Sequence, residues 1–455
     1  MGDVGAQNRG KHSHKNDNAR DPAYFGYYAQ LTHQQNMLQD TVRTSTYHSA
    51  IIANSALFLN KTVLDVGAGS GILSYFSVQA GAAKVYAVEA SDMALKMKKL
   101  LDRTDVKNTW MRGKVNVIQS KIEEPDLPIP QVDIIVSEPI GVLLVHERMI
   151  ESFLHARDKY LKPGGALLPS SGTIFLAPFT DATLWTQTMA KGSLEAAPTR
   201  HVTTASPSVH LLVRFWESSN FYGVDLSPLV RDARDEVFGM PVVGTFDPRT
   251  LVTAACSHPI DFYTITVSEL KEFVIPIQWT ANFTGILHGI ASWFDIHFAP
   301  SASAAIPVVF TLTTAPTAER THWHQIRFLF KEPLAVNSGE TLRGWFHLCV
   351  NDMRSYTVEA EVVLGEHEEL SKPPLTDPRN PKTTNTHTGP SKPSRSSARR
   401  RRDTWELQDQ TYYYGYDPAF ANTQDYQPEY SCLYFADGQD EPNGETVDMA
   451  TESGA

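Results

Sequence analysis

Apolar positions in the first third of the chain come in short runs: Val63–Val66, Val85–Val88, Val115–Ile118 and Val132–Val136. Stretches with helical spacing, such as Ile72–Gln79, separate them. Buried strands alternating with helices predict a mostly parallel sheet covered by helices. Beyond Pro169 the rhythm changes. Phe262–Val267, Phe273–Trp279, Val308–Leu312, Ile326–Phe330 and Thr357–Val363 alternate and are rich in β-branched and aromatic residues, which predicts a β-barrel or sandwich. Residues 181–236 read as mainly helical, interrupted by a Ser/Thr/Pro-rich stretch, 192–214, that reads as a loop. Past Gly365 the chain turns to Pro, Ser, Thr, Asn and basic residues, which bury too little surface to offset ordering entropy. The expected division is a disordered 1–20, an α/β domain over 21–168, a β-domain over 169–365 with a helical arm at 181–236, and a disordered 366–455.

Composition narrows the field. A chain of 455 residues with 42% apolar content can bury two cores, and no apolar run approaches the ~18–20 residues of a membrane span. The polar start carries no apolar signal-peptide core. Three cysteines, Cys256, Cys349 and Cys432, form neither a disulfide framework nor a metal-ligand spacing, so no metal and a reducing compartment are expected. A net charge of −11 disfavours direct nucleic-acid binding and suits basic protein partners. Arg399–Arg402 reads equally as a nuclear-import signal or a solvated charge run.

Two motifs carry chemistry. Asp65-Val66-Gly67-Ala68-Gly69-Ser70-Gly71 follows one strand and precedes a helix, so its glycines let backbone approach a nucleoside ligand. Nicotinamide-binding folds have similar loops. The G-x-G-x-G spacing with an acidic residue before it tilts toward S-adenosylmethionine, and Glu89, ending the next strand, is placed to accept both ribose hydroxyls. The second motif is a loop after Val132–Val136 that carries Glu138 and Glu147. Two carboxylates on one loop can grip a planar cation, and guanidinium matches them bidentately. A nicotinamide oxidoreductase leaves both glutamates without a role.

Further motifs complete a pattern: Tyr24-Phe25-Gly26-Tyr27-Tyr28, Gln34-Gln35-Asn36-Met37, Gln39-Asp40-Thr41-Val42-Arg43-Thr44, Val224-Asp225-Leu226-Ser227 and Thr321-His322-Trp323. Across roughly residues 21–364 the chain resembles type I protein arginine methyltransferases, and within them the coactivator-associated, histone-arginine group. The resemblance implies a Rossmann-like domain that binds S-adenosyl-L-methionine, a β-barrel domain and a dimerisation arm. It implies transfer of methyl groups to arginine in histones and in RNA-binding or transcription-related proteins, giving mono- and asymmetric dimethylarginine, in nucleus and cytoplasm, by a homodimer.

By the same resemblance, Glu138 and Glu147 hold the substrate guanidinium, and His322 with Asp40 forms a dyad able to carry the proton away; an interdomain hydrogen bond is the alternative for His322. Asp40 and Arg43, three apart, are expected on one helix face. Tyr24, Phe25, Gln34, Met37, Arg43, Asp65, Gly67, Gly69, Glu89, Glu123 and Ser152 are expected at the cofactor, with Glu124 the alternative to Glu123. Tyr28, Met149 and Trp323 are expected at the substrate. The chain departs from the family at Ile140-Gly141-Val142 and Val145-His146, where a tyrosine ring and hydroxyl are lost from the pocket wall. A non-catalytic scaffold is therefore the alternative function.

Overall fold

The computed structural model describes residues 17–190, 213–300, 308–365, 368–375 and 399–413. Three helices come first: α1 (Asp17–Tyr28), α2 (Leu31–Gln39) and α3 (Thr41–Ala53). Helix thus begins inside the 1–20 segment expected to lack structure, while residues 1–16 lie outside the described residues.

Strands β1 (Thr62–Val66), β2 (Lys84–Glu89), β3 (Val115–Gln119), β4 (Val132–Ser137) and β5 (Leu161–Leu168) form one parallel sheet in the order 3-2-1-4-5. The four apolar runs of the α/β region are four of these strands. Their unbroken apolar character follows from burial on both faces, with Val63, Leu64, Ile135 and Val136 all inaccessible. The fifth strand contains Lys162-Pro163-Gly164-Gly165, which masked it in the hydrophobic pattern. Strand order reverses between β1 and β4. The crevice at their carboxyl ends is where open α/β sheets bind ligands, and both chemistry-bearing loops leave from there.

The remainder is antiparallel: β6 (Ser171–Phe179), β7 (Val242–Val243), β8 (Cys256–Asp261), β9 (Glu272–Thr280), β10 (Gly285–Phe298), β11 (Phe310–Thr313), β12 (Ile326–Val336), β13 (Thr341–Val350), β14 (Tyr356–Leu364), β15 (Arg400–Glu406) and β16 (Thr411–Tyr412). One sheet runs 16-7-12-10-6-8 with β11 on β10, and the other 15-14-13-9. β16 joins β7 in parallel. Leu176, Ile290 and Phe328 of the first sheet share a continuous core with Ile275, Phe346 and Val358 of the second.

Two expectations are corrected. Phe262–Val267 is not a strand: β8 ends at Asp261, and Thr266 with Glu269 forms a capping box for a short helix, Val267–Lys271. The carbonyls of Phe262 and Ile265 accept instead from Arg157 Nη1, at 2.7 and 2.8 Å. Nor is 366–455 uniformly without structure. Arg400–Glu406 pairs along β14, with Arg400 meeting Glu361 at 3.5 Å and Arg402 meeting Glu359. Trp405 is fully buried and donates from Nε1 to the Leu329 carbonyl at 3.1 Å. The basic run is therefore an edge strand matched by acidic cross-strand neighbours. The rest of that tail, residues 376–398 and 414–455, lies outside the described residues.

The arm region contains helices Ala182–Ala190, Val213–Trp216 and Val230–Phe238. The loop read at 192–214 falls almost wholly outside the described residues.

Candidate active site

The glycine loop turns sharply because Gly67, Gly69 and Gly71 all take positive φ (68°, 54° and 90°). Gly69 also has no room for a side chain: a Cβ there would lie 2.8 Å from Gln34 Oε1. Gln34, from α2, accepts from the Ser70 amide at 3.0 Å and donates to the Tyr28 carbonyl at 3.2 Å, so it braces the loop against the end of α1. Met149 lies against the same loop, its Cε 3.1 Å from where a Gly67 Cβ would sit.

Glu89 is buried at the end of β2, and its two oxygens accept the Gly69 and Ser91 amides, each at 2.7 Å. It thus splints the loop as well as offering acceptors to a ligand, since each carboxylate oxygen keeps a further lone pair. Asp65 is fully buried at the end of β1. Its Oδ2 accepts from Ser74 Oγ at 2.7 Å, while its Oδ1 is buried without a partner. Burial pushes its carboxyl up to about 7, against the pull of the Ser74 hydrogen bonds.

Asp40 proves to be the N-cap of α3 rather than a residue on its face: its Oδ1 accepts the Arg43 amide at 2.9 Å. Its other oxygen accepts the His322 amide at 2.8 Å and lies 2.7 Å from His322 Nδ1. Burial raises the Asp40 carboxyl, but the hydrogen bonds from His322 and Arg43 outweigh it and hold the group below its ordinary value.

Arg43 is buried, and its Nη2 sits 2.9 Å from Glu138 Oε2. Its Nη1 donates to the Met37 carbonyl at 3.3 Å, which anchors that methionine's backbone. Desolvation works against the guanidinium's charge, but Glu138 more than restores it. Arg43 Nε and Glu138 Oε1 are both buried without partners.

The second glutamate is built by strain. Leu143, Leu144, Glu147 and Arg148 all adopt left-handed backbone conformations (φ 57°, 69°, 71° and 58°). Each costs on the order of 1 kcal/mol for a residue with a side chain, and such strain collects at functional sites. The loop is held down by His146 Nδ1 on Ser355 Oγ (2.9 Å), by Arg148 Nε on Glu151 Oε1 (2.6 Å), and by Trp323. Trp323 Nε1 donates to the Ile140 carbonyl at 3.1 Å from a buried position, so it supports the loop. Glu147 Oε2 accepts from Tyr24 at 2.9 Å and Tyr28 at 2.7 Å. Burial raises the Glu147 carboxyl, the Tyr28 and Tyr24 hydroxyls pull it down, and nearby Glu138 pushes it up again.

Glu123 and Ser152 meet each other, the serine Oγ donating to Glu123 Oε1; Glu123 and Glu124 are both exposed. The Phe25 ring packs edge-on against Tyr24 at 5.4 Å. Of the residues singled out in the sequence, those of α1, α2, the glycine loop and the two-glutamate loop converge on one crevice, and Trp323 stands beneath it. Sequence reasoning missed Asp21, Lys121, His146, Arg354 and Ser355 as contributors. They act through contacts distant in sequence; His146 lies within the two-glutamate loop, but no local motif announces its partner or the other four.

The donor set suits a nucleoside bearing an amino-acid end. Orphaned acceptors on Asp65 and Glu138 and an orphaned Arg43 donor surround a glycine loop that a Cβ would block. Among the described residues no cluster of potential metal ligands occurs.

A family model for the arginine methyltransferase oligomerization subdomain matches residues 201–363, and one for the ribosomal protein L11 methyltransferase matches 49–174. A probable histone-arginine methyltransferase 1.4 of Arabidopsis thaliana is 43% identical over 357 residues, 78% of this chain and 62% of that protein. The histone-arginine methyltransferase CARMER of Drosophila willistoni is 42% identical over 79% of this chain and 61% of its own. The chain thus spans about three-fifths of the length of the curated relatives it matches. Among solved structures, Arabidopsis thaliana protein arginine methyltransferase 10 aligns with a TM-score of 0.66 at 28% identity, covering 84% of this chain and all of that one. The Trypanosoma brucei PRMT1 enzyme–prozyme complex with AdoHcy aligns at 0.60 and 27% identity, over 74% of this chain and 94% of its own. By fold, by crevice and by these likenesses, the chain belongs to the protein arginine methyltransferase family.

Proposed function

We propose that the chain transfers methyl groups from S-adenosyl-L-methionine to the guanidinium nitrogens of arginine in proteins, histones foremost. The observation that carries this is the convergence of Glu138 and Glu147 beside the glycine loop, one braced by Arg43 and the other by two tyrosines. When bound, the cofactor supplies an electrophilic methyl on sulfonium sulfur and leaves as the thioether. Asp65, Gly67, Gly69, Glu89 and Glu123 would hold it, Arg43 and Gln34 its amino-acid end, with Tyr24, Phe25, Met37 and Ser152 closing around the ring.

The protein's part is placement and charge. Guanidinium keeps its proton at neutral pH, its pKa lying above ~12. Glu138 and Glu147 bind it through two of its nitrogens and draw positive charge toward them, leaving the third more nucleophilic. Tyr28 and Met149 bound the slot. Orientation in a water-poor crevice supplies most of the acceleration. Once the new N–C bond forms, the nitrogen's proton becomes acidic, and the His322–Asp40 pair at the crevice's edge is the outlet.

Asymmetric dimethylarginine as the product, a homodimer assembled through the arm, RNA-binding or transcription-related proteins as further substrates, and action in nucleus and cytoplasm belong to this reading. The histone-arginine names of the relatives and the oligomerization model support it. No observation favours the scaffold alternative: of the altered positions, Ile140 and Val145 lie in the core and Val142, half-buried, packs against it. The test is transfer of labelled methyl from S-adenosylmethionine to histone H3, with an H3 whose arginines are replaced by lysine as control. Label on the first and not the second is expected. Label on both would overturn the arginine reading.

A further inference from the structure

Helix α1 is fastened by one carboxylate. Asp21 is buried, and its Oδ2 accepts from Lys121 Nζ in the loop after β3. Its Oδ1 accepts from Arg354 Nη1, at 2.6 Å, in the turn between β13 and β14. The helix, the parallel sheet and the antiparallel sheet therefore meet at a single side chain. Arg354 also places its guanidinium carbon 4.5 Å from the Tyr24 ring centroid, and Lys121 Nζ lies 5.6 Å from that of Phe25. Asp21, Tyr24, Phe25 and Tyr28 recur at helical spacing, so one face of α1 carries both the fastening and the two hydroxyls on Glu147. The same turn reaches Glu147 from the other side, because Ser355 holds His146, its neighbour in sequence.

We propose that Arg354 is a positioning residue for the second glutamate: with Asp21 it clamps α1 so that Tyr24 and Tyr28 reach Glu147. This rests on the arginine-methylation reading of the crevice. The groups that interact with Glu147 are Tyr24, Tyr27 and Tyr28 from α1, Glu138 from the end of β4 and Arg354 from the β13–β14 turn. Burial, the largest influence, favours the protonated acid, and Glu138 adds to it. The tyrosine hydroxyls and the Arg354 cation oppose both. A carboxylate that must bind guanidinium loses its purpose when protonated, so a clamp that keeps both hydroxyls on Glu147 acts on catalysis and not on folding alone.

The experiment compares the full-length wild type with Arg354→Met, Arg354→Lys and Asp21→Asn. Hydrogen exchange of residues 17–28 reads the clamp without turnover, and the pH dependence of kcat/KM on histone H3 reads whether the two hydroxyls still reach Glu147. Arg354→Met should speed exchange of α1 about tenfold or more and lower kcat/KM by about 10–100-fold. Its acid limb should also move to higher pH. Arg354→Lys keeps a cation that can still meet Asp21, so its α1 exchange and its acid limb should both lie between wild type and Arg354→Met. Asp21→Asn should loosen α1 and move the limb the same way, because the same two hydroxyls leave Glu147. Unchanged exchange in Arg354→Met overturns the clamp, and faster exchange with an unchanged acid limb overturns its positioning of Glu147. A wild type that methylates nothing overturns the arginine reading on its own, and the exchange result still decides the clamp.

Discussion

Arg43 Nη2 lies 2.9 Å from Glu138 Oε2, so the protein meets its first glutamate with a guanidinium of its own. Only one carboxylate oxygen is used; the other is buried and open to a donor. Arg43 thereby fixes the direction of Glu138 and neutralises part of its charge in a dry crevice. Its remaining donor, Nε, is buried and unpartnered. Replacing Arg43 by Ala leaves a buried carboxylate alone, which costs about 3–5 kcal/mol when one partner of a buried pair is removed. Thermal melting should fall accordingly, and KM for S-adenosylmethionine should rise. Unchanged melting with unchanged KM would contradict this account of the pair.

Asp40 has two jobs that one substitution can separate. Asn caps helices about as well as Asp, so Asp40→Asn should melt near wild type while transfer falls by about 10–100-fold through the lost partner of His322. Asp40→Ala should lose the same activity and, in addition, about 1 kcal/mol of stability. Melting curves and initial rates on both variants distinguish the cap from the dyad.

Asp65 predicts a pH dependence. Its folded-state value, about 7, lies above the ordinary 3.8. Between those values the folded protein keeps a proton that the unfolded chain has released, so stability falls as pH rises through that window. The loss by pH 8 is on the order of 4 kcal/mol. Asp65→Asn should therefore melt higher than wild type at pH 8 and show a flatter pH profile, yet bind S-adenosylmethionine more weakly. Melting measured from pH 4 to 8, with calorimetric binding, checks both.

Trp405 makes the C-terminal strand part of the fold. Its side chain is fully buried against Phe328 and Phe330. Trp405→Ala should cost about 3–5 kcal/mol, and a chain cut after residue 375 should lose at least as much. A truncated protein that melts like the full chain would contradict the burial seen here.

What the sequence revealed follows from what is local. Strands buried on both faces are visible as apolar runs, and β1 to β4 were found that way. β10 was not, because its 14 residues mix Gly285, His288, Gly289 and Asp295 among core positions. β15 reads as part of a disordered tail because its stability comes from Glu359 and Glu361 on a neighbouring strand and from one tryptophan. The two glutamates, the glycine loop and His322 were legible as motifs. Arg354 was not: 333 positions separate it from Asp21, and nothing in the turn that carries it distinguishes it from a surface arginine.

The most direct measurement is mass spectrometry of histone H3 after incubation with S-adenosylmethionine and either wild type or Glu147→Gln. A neutral amide keeps the shape of Glu147 and loses the charge that holds guanidinium. Wild type should give mono- and asymmetric dimethylarginine, and the variant about 10²–10³-fold less of both. Equal methylation by the two proteins, or methyl groups on residues other than arginine, would contradict the account.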